Sequence, residues 1–284
     1  MKSAKDKATV LIEALPFIRE FRGTTLVIKI GGAALEKLPL RERFAEDLIL
    51  LSWVGIRVVV VHGGGQQVSK MLDRLGIEAK FIDGQRVTCE RTLEVVEMVL
   101  GGSLNKEIVR LIASSGGKAV GITGKDGGLA TAVRRPASES GDLGHVGDIV
   151  SIDTEVLEEL LENFIPVVAP LATSVDGHTL NVNADPFAAA LAVALGAKKF
   201  VLLSDVEGVK DREGKLIPSL SAAAARELIS DKTISGGMIP KVLHALSAVD
   251  GGVSKVHIID GRSEHALLLE IFTSEGVGTQ IISN

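Results

Sequence analysis

Two glycine-rich turns follow two apolar segments in the first quarter of the chain. The first is Gly31-Gly32, which comes two residues after Lys29, and the second is Gly63-Gly64-Gly65. Backbone N–H groups of such turns, together with the positive end of a following helix, stabilise phosphate or carboxylate groups, and glycine lets the anion approach closely. One Gly-Gly pair alone is more often a tight turn without a ligand. Two turns and a neighbouring lysine indicate an anion-binding site.

Two polar segments in the second half of the chain carry further candidate residues. Asn181, Asn183 and Asp185 fall within five positions before an alanine-rich stretch. Asn and Asp are common helix N-caps, but capping would account for only one of these residues. The second segment, 235–241, contains two glycines and ends in Lys241 at the start of a predicted helix. A cation there is electrostatically unfavourable unless an anion shares the site, so the segment that ends in Lys241 favours a bound anion.

Several functional classes are excluded by composition and by missing motifs. The single cysteine, Cys89, rules out an internal disulfide framework and multi-cysteine metal sites, and the six histidines show no metal-ligand spacing. Lys and Arg number 31 against 36 Asp and Glu, a net charge of −5 that leaves no basic stripe for nucleic acid. No apolar run approaches the ~20 residues that span a bilayer. The P-loop and the G-x-G-x-x-G turn are absent, which argues against P-loop NTPases and ordinary dinucleotide-binding folds.

Six near-continuous apolar runs, rich in β-branched residues, predict buried strands. Such runs are typical of strands covered on both faces, as in parallel sheets with helical crossovers. Segments with helical spacing lie between them, so we predict an α/β fold, a three-layer sandwich whose mostly parallel central sheet has helices on both faces. The predicted strands are 25–30, 56–61, 118–122, 165–169, 200–203 and 256–259, and the predicted helices are 41–53, 66–75, 90–100, 105–113, 154–163, 186–195, 221–229 and 241–249.

Turn residues in the remaining segments suggest how the chain is divided. Asp83-Gly84 predicts a hairpin turn, and residues 130–153 predict a second β-rich excursion. The polar turn at 174–178 marks a predicted boundary. It separates an N-terminal lobe, residues 23–177, from a C-terminal lobe, residues 178–284.

Residues 1–22 form a separate unit, a helical arm with an apolar face. Pro16 removes one backbone hydrogen bond, which predicts a kink. The arm either covers the core of its own subunit or is exchanged with a neighbouring subunit, and the sequence leaves both possibilities open. The predicted apolar face comprises Val10, Leu11, Ala14, Leu15, Phe17, Ile18 and Phe21.

The order of these motifs along the chain resembles that of the amino acid kinase family. The matching motifs span most of the chain, and the set is far more specific than any one of them. They are Lys29-Ile-Gly-Gly, Val61-His-Gly-Gly-Gly65, Asn181-x-Asn183-Ala-Asp185, Leu203-Ser-Asp205-Val-x-Gly208-Val and Gly236-Gly-Met-Ile-x-Lys241. Within the family, Gly84-x-Arg86-Val-Thr88 and Gly144-His-Val-Gly147 resemble the acetylglutamate kinases.

This resemblance implies ATP-dependent phosphorylation of the γ-carboxylate of N-acetyl-L-glutamate, a step of arginine biosynthesis in the cytoplasm. The N-terminal lobe would bind the acceptor and form a dimer, the C-terminal lobe would bind ATP, and Mg²⁺ would arrive on ATP rather than at a dedicated protein metal site. The implied catalytic residues are Lys29, Lys241 and Asp185; the acceptor-binding residues are Gly64, Gly65, Arg86 and Asn181; and the ATP-binding residues are Gly31, Gly32, Asp205, Val206, Gly208, Lys210, Thr233 and Ser235.

Both ends of the chain resemble the arginine-inhibited branch, which assembles as hexamers, trimers of dimers, through the N-terminal helix. Lys198, Glu270 and Gly276 match the effector-site pattern, so the resemblance implies inhibition by L-arginine. The chain departs from the family pattern at Pro186-Phe187, directly after Asp185, and in the N-terminal helix, where Phe17 and Phe21 stand and tyrosine is absent. Phe187, two positions after Asp185, is bulkier than the pattern leads us to expect, and we predict that it lies beside the nucleotide.

Two alternatives remain open at the level of sequence. The first keeps the fold but changes the acceptor to glutamate, aspartate, carbamate or a nucleoside monophosphate. Arg86 and Asn181 favour an amino-acid carboxylate. The second alternative is a catalytically silent regulatory or nucleotide-sensing module, and the presence of Lys29, Lys241 and Asp185 argues against it.

Overall fold

The computed structural model describes residues 4–31, 38–274 and 276–283, so Gly32, which was expected to bind ATP, lies outside the described residues. The described helices are α1 (Ala4–Phe21), α2 (Leu38–Trp53), α3 (Gly65–Arg74), α4 (Glu90–Glu97), α5 (Asn105–Ser114), α6 (Glu155–Leu161), α7 (Ala184–Ala194), α8 (Ala222–Ser230), α9 (Met238–Asp250) and α10 (Ala266–Phe272). A π-helical segment, Met98–Leu104, joins α4 to α5. In the described part of the chain, no helix has the length and apolar character needed to cross a bilayer.

The strands fall into a central sheet, a small barrel and a hairpin. They are β1 (Thr25–Ile30), β2 (Arg57–His62), β3 (Phe81–Ile82), β4 (Gln85–Arg86), β5 (Ala119–Thr123), β6 (Ala130–Arg134), β7 (Val146–Ile152), β8 (Ile165–Ala169), β9 (Leu171–Ser174), β10 (Thr179–Val182), β11 (Lys199–Ser204), β12 (Ser219–Ser221), β13 (Lys255–Asp260) and β14 (Thr279–Ile282).

The central sheet has eight strands in the order β12-β14-β13-β11-β1-β2-β8-β5. The strands from β13 to β5 run parallel, while β14 and β12 at the other edge run antiparallel to them. The carboxyl ends of the parallel strands therefore lie along one edge, which is where ligands bind in open α/β sheets. The turns after β1, β2 and β11 begin at Gly31, Gly63 and Asp205.

Each face of the central sheet packs against its own hydrophobic core. In β1, Val27 belongs to the first core, whereas Leu26, Ile28 and Ile30 belong to the second. Helices α6 to α9 cover the first face, and α2 to α5 and α10 cover the second. Because strands buried on both faces are apolar at nearly every position, the sequence shows them clearly. The predicted three-layer α/β fold is confirmed.

The observed elements agree closely with the predicted ones in the central sheet. Each of the six predicted strands matches an observed strand to within one residue at both ends, and all eight predicted helices are present. The prediction missed α10 and the short strands β9, β10, β12 and β14. These elements have three to seven residues, too few for a hydrophobic period to stand out.

A four-stranded barrel of β10, β7, β6 and β9 lies apart from the central sheet, and the β3–β4 hairpin forms a third sheet. The hairpin turns at Asp83, with φ 49°, and Gly84, with φ 76°. Positive φ at both central positions is the conformation expected for this two-residue turn. The predicted lobe boundary, between residues 177 and 178, falls inside the antiparallel β9–β10 hairpin of the barrel.

The prediction that Phe187 lies beside the nucleotide is wrong. Its side chain has no exposed surface and belongs to the first core. A Cβ placed on Gly124 would come within 2.8 Å of the Phe187 ring, so the aromatic group fills the space that this glycine leaves. Phe187, the fourth residue of α7, thus points into the interior while Asp185, the second, points to the sheet edge.

Helix α1 packs on the rest of the chain only through its final turns. It runs through Pro16 as one helix. Phe21 is 2% exposed and Phe17 packs against the second core. By contrast, Leu11 and Ile12 are 71% and 67% exposed. The arm therefore exposes apolar side chains at Leu11 and Ile12 in the described part of the chain.

Candidate active site

Asp185 lies where three elements of the first face converge. It is the second residue of α7, and Asn183, the N-cap of that helix, accepts a hydrogen bond of 3.0 Å from the Asp185 backbone N–H. Lys29 of β1 places its Nζ 2.7 Å from Asp185 Oδ1, and Lys241 of α9 places its Nζ 3.9 Å from Oδ2. A carboxylate thus bridges two ammonium groups.

The two lysines keep the Asp185 carboxyl ionised. Burial alone raises the pKa of Asp185, but the charges of Lys29 and Lys241 outweigh it and hold the pKa below its usual value. His244 lies one turn after Lys241 on α9, and burial lowers the pKa of its imidazole. The ring is therefore neutral near pH 7, and the three charged groups leave one net positive charge facing the site.

A first cavity, of about 300 Å³, opens at the carboxyl ends of β1 and β2. Its lining includes Lys29 and Gly31 from one turn and Gly63 to Gly65 from the other. A Cβ on Gly64 would come within 2.5 Å of Leu100 Cδ2 and 2.6 Å of Leu104 Cδ2, so this position requires glycine. The turn is thus held closely between the sheet and the π-helical segment.

Arg86 reaches the first cavity from the β3–β4 hairpin. Its Nη2 donates 2.8 Å hydrogen bonds to the carbonyl of Gly65 and to Ser69 Oγ, and its guanidinium lies 4.8 Å from the Phe81 ring centroid. Its Nη1 is buried and has no hydrogen-bond partner among the described residues. Because buried polar groups are rarely left unpaired, this nitrogen is suited to bind a ligand carboxylate.

Asn181 enters the same cavity from the barrel strand β10. Its Nδ2 donates a 3.1 Å hydrogen bond to Thr88 Oγ1, and the Thr88 hydroxyl donates a 3.2 Å bond to the carbonyl of Arg86. Thr88 is fully buried. This chain of hydrogen bonds connects the barrel to the hairpin, so Asn181 and Arg86 are positioned together.

A second cavity, of about 460 Å³, lies at the carboxyl ends of β11 and β13. Met238 lines it at the first position of α9, one turn before Lys241. The Asp185 ion pairs therefore lie between the first and second cavities. The second cavity brings together the predicted ATP-binding residues Asp205, Val206, Gly208, Lys210, Thr233 and Ser235, whereas Gly31 lines the first cavity.

A third cavity, of about 250 Å³, lies between α1 and α10 and contains Glu270 and Gly276. Glu270 Oε2 accepts a 2.9 Å hydrogen bond from the Val277 N–H, and Oε1 lies 2.5 Å from His257 Nδ1. Lys198 does not line this cavity, and its side chain is exposed. The neighbouring residue, Lys199, lines it instead.

No three His, Cys, Asp or Glu side chains come together as a metal site in the part of the chain that the structure describes. Carboxylates do line the second cavity, namely Asp205, Glu207 and Asp211. Mg²⁺ usually keeps several waters and binds to substrate phosphates through one or two carboxylates. The lining of the second cavity fits a magnesium ion that arrives on a nucleotide.

The sheet order, the glycine turns and the paired lysines agree with one family. A model of the amino acid kinase family matches residues 24–260. The chain belongs to the amino acid kinase family. Members of this family share the mostly parallel central sheet seen here, and their activity implies use of ATP.

Relatives in the family match along the whole chain. Acetylglutamate kinase from Persephonella marina is 49% identical over 299 aligned residues, which cover 100% of both chains. Acetylglutamate kinase from Chromobacterium violaceum is 52% identical, with 98% of each chain covered.

Two solved structures of one enzyme are similar over the full length of this chain. N-acetylglutamate synthase from Neisseria gonorrhoeae, complexed with coenzyme A and N-acetyl-glutamate, has a TM-score of 0.88 and 31% identity. This chain spans 64% of that protein. A complex of the same enzyme with coenzyme A and L-arginine has a TM-score of 0.84 and 29% identity, and the chain spans 66% of it.

The structure also places residues at these cavities that the sequence did not single out. Arg135, just after β6, donates to Asp148 and to Gln85 of the hairpin beside the first cavity. Arg262 lines the second cavity and donates to Asp260. The available sequence signals were the position of Arg262 after a predicted strand and that of Arg135 within a predicted β-rich excursion. Neither distinguishes a site residue from an ordinary polar turn.

Replacement of Asp185 by Asn should lower the free energy of unfolding by about 3 to 5 kcal/mol at pH 7, because it leaves two partly buried ammonium groups without their counterion. The pKa of Asp185 is below its usual 3.8 in the folded chain, so its stabilising contribution is present above about pH 4 and is lost as the pH falls through the folded pKa. Urea titrations at several pH values measure this. The exposed Asp73→Asn is the control and should change stability by less than about 0.5 kcal/mol.

A stability difference between wild type and Asp185→Asn that stayed constant from pH 7 to well below pH 4 would contradict the ion-pair explanation. A difference that shrinks on acidification supports it.

Proposed function

We propose that this chain transfers the γ-phosphoryl group of ATP to the γ-carboxylate of N-acetyl-L-glutamate, giving N-acetyl-L-glutamyl 5-phosphate and ADP. The observation that carries the proposal is the position of Asp185, which pairs with Lys29 and Lys241 between the first and second cavities. The acetylglutamate kinases that are 49% and 52% identical to the chain support this acceptor. The product belongs to arginine biosynthesis.

In this proposal the first cavity binds the acceptor. The buried Nη1 of Arg86 pairs with the substrate carboxylate that does not react, because it has no partner among the described residues. Asn181 holds the other polar part of the acylated amino acid. The N–H groups of Gly64 and Gly65 face the reacting carboxylate and the incoming phosphoryl group.

The reaction needs charge neutralisation and positioning more than covalent help from the protein. An oxygen of the acceptor carboxylate forms a bond to the γ-phosphorus of ATP, the bond between that phosphorus and the β–γ bridging oxygen breaks, and ADP leaves with the electron pair. A carboxyl group with a pKa of about 4.3 is already ionised at pH 7, so no catalytic base is required. Lys29 and Lys241 stabilise the negative charge on the reacting groups, and Asp185 holds both lysines in place.

The second cavity binds ATP in this scheme, with the nucleotide phosphates directed toward Lys241. When bound to those phosphates, Mg²⁺ would offset their charge, and Asp205, Glu207 and Asp211 are the carboxylates that could hold it. Gly208 and Lys210 lie in the turn after β11, and Thr233 and Ser235 come from the segment before α9. Both sides of the cavity therefore contact the nucleotide.

The acceptor can be tested directly by trapping the acyl phosphate with hydroxylamine. With ATP and Mg²⁺, we expect hydroxamate from N-acetyl-L-glutamate and little from glutamate, aspartate or carbamate, because only the acylated acceptor matches the proposed contacts. Turnover of a different acceptor would reassign Arg86 and Asn181. ATP binding without turnover of any acceptor would instead favour a regulatory module.

Lys29→Ala and Lys241→Ala should each lower kcat by about 10²- to 10³-fold, since each removes a charge that stabilises the transition state. Initial rates at saturating substrates give kcat, and circular dichroism checks that the fold is retained. The exposed Lys198→Ala is a matched control. Near-normal turnover in either site variant would contradict its catalytic assignment.

We also propose that L-arginine inhibits the enzyme by binding in the third cavity. Glu270 supplies a negative charge there, and Lys199 supplies a positive charge 4.6 Å from the Phe21 ring centroid. These charges complement the guanidinium and carboxylate groups of arginine. Gly276, which has φ 63°, lets the backbone approach Glu270 closely. The arginine complex of the Neisseria gonorrhoeae synthase supports this ligand.

The exposed apolar part of α1 supports a larger assembly. Val10, Leu11, Ile12 and Leu15 are 37% to 71% exposed, and apolar area of this kind is stabilised when another subunit covers it. We therefore propose that the arm joins dimers into a hexamer, a trimer of dimers, and that the enzyme works in the cytoplasm, where arginine biosynthesis supplies its substrate.

Lys199→Met should raise the arginine concentration for half-inhibition by at least about 10-fold while the uninhibited kcat stays near wild type, because it removes a charge from the third cavity but not from the active site. Lys198→Met is the matched control and should leave inhibition unchanged. The measurement is an arginine titration of hydroxamate formation. Equal responses in the two variants would argue against the proposed placement of the effector.

Removal of residues 1–22 takes away the side chains of α1 that line the third cavity. It also tests the proposed assembly. The shortened chain should lose arginine inhibition and elute as a smaller oligomer, as measured by light scattering. An unchanged arginine response would contradict the proposal that α1 contributes to the effector site.

A further inference from the structure

A buried polar network lies directly beneath the second glycine turn. His62, the last residue of β2, has no exposed surface. Its Nδ1 lies 2.8 Å from the carbonyl oxygen of Gly63, and its Nε2 lies 3.2 Å from Nδ2 of Asn105. None of the proposed catalytic steps uses this imidazole. Burying a polar imidazole costs free energy, and His62 lies one residue before the second glycine turn. Both facts indicate that the ring helps to fix the conformation of that turn.

The partners of His62 determine where its proton lies. A carbonyl oxygen only accepts hydrogen bonds, so Nδ1 must carry the proton and donate it to Gly63. Burial lowers the pKa of His62 to about 4, so the ring is neutral near pH 7 and Nε2 accepts from Asn105. The imidazole is therefore fixed as the Nδ1–H tautomer.

Asn105 is itself held in one orientation. Its Nδ2 also donates to the carbonyl of Val167 at 2.9 Å, and its Oδ1 accepts from Lys106 Nζ at 3.2 Å. A Cβ on Gly121 would come within 1.8 Å of this Oδ1, so glycine leaves the space that the amide occupies. Two neighbouring strands, β5 and β8, thus support the partner of His62.

We infer that His62 is a positioning residue that orients the Gly63–Gly64 peptide so that the N–H of Gly64 points into the first cavity. The described chain contains no cis peptide bond. In a trans peptide the C=O and N–H groups point in opposite directions. A carbonyl bound to His62 on the buried side therefore directs the N–H toward the cavity.

The other side of the same peptide is restrained by packing. Leu100 and Leu104 of the π-helical segment lie where a side chain at Gly64 would be. His62 holds the carbonyl from the sheet side, so the turn cannot rotate without losing this hydrogen bond. A donor fixed in this way stabilises a developing charge without reorganising during the reaction. This inference rests on the proposed function, in which the Gly64 N–H binds the reacting anion.

Two substitutions of His62 separate its two hydrogen bonds. The side-chain amide nitrogen of Asn falls near the position of an imidazole Nδ1. The amide oxygen of the longer Gln can fall near the position of Nε2, where it accepts from Asn105 Nδ2. His62→Asn therefore keeps a donor for Gly63 but loses the contact with Asn105. His62→Gln keeps a contact with Asn105 but leaves the Gly63 carbonyl without its donor.

We expect His62→Gln to have a kcat about 10- to 100-fold below that of His62→Asn, with similar KM values for ATP. Only the Gln variant loses the hydrogen bond that orients the Gly63–Gly64 peptide. Thermal unfolding shows whether the two variants differ in stability. A role limited to stability predicts that kcat follows the folded fraction. Equal kcat per folded molecule in the two variants would overturn the inference.

A second measurement uses the unmodified chain and does not depend on turnover. Histidine labelled with ¹⁵N distinguishes the two neutral tautomers and the charged ring by NMR. We expect His62 to remain the Nδ1–H tautomer from pH 6 to pH 8. The Nε2–H tautomer, or a charged ring at pH 6, would overturn the inference. If the wild type forms no acyl phosphate, the proposed function fails, while the NMR result still decides whether His62 donates to Gly63.

Discussion

The ion pairs that join Asp185 to Lys29 and Lys241 make three elements depend on one another. A carboxylate buried at the start of α7 is stable as an anion because the two ammonium groups offset its loss of hydration. The two ammonium groups can in turn approach each other because the carboxylate lies between them. β1, α7 and α9 must therefore keep their relative positions. Lys29 of β1 lines the first cavity, and Met238 of α9 lines the second.

The parallel sheet explains why both cavities lie along one edge. β2 contributes the glycine turn of the first cavity and β11 contributes the turn of the second, with β1 between them in the sheet. Lys29, near the end of β1, lies on the face covered by α7 and α9. A central strand thus supplies the charge shared by the two cavities, and its neighbours supply the backbone around them.

Strand β11 connects the third cavity with the second. This strand begins with Lys199 in the third cavity and is followed by Asp205 in the second. The proposed effector and nucleotide sites therefore lie near opposite ends of one buried strand. Helix α1 contributes Phe17, Glu20 and Phe21 of its final turns to the third cavity, whereas Leu11 and Ile12 are exposed.

The sequence by itself determined the central sheet and the motifs at its edge. Strands buried on both faces have continuous apolar runs, and the turns that bind anions need glycine, so both features are local and can be read without a structure. The spacing of Lys29, Asp185 and Lys241 also matched a family pattern.

Only the tertiary structure decided which side chains face each cavity. Lys198 and Lys199 are adjacent, and because side chains alternate along a strand, one residue of register separates an exposed cation from one in the third cavity. Phe187 likewise points into the core rather than toward the nucleotide, since its direction depends on how α7 packs. The contact between His62 and Asn105 joins residues far apart in sequence. No local pattern encodes it, because packing of the strands and helices brings these residues together.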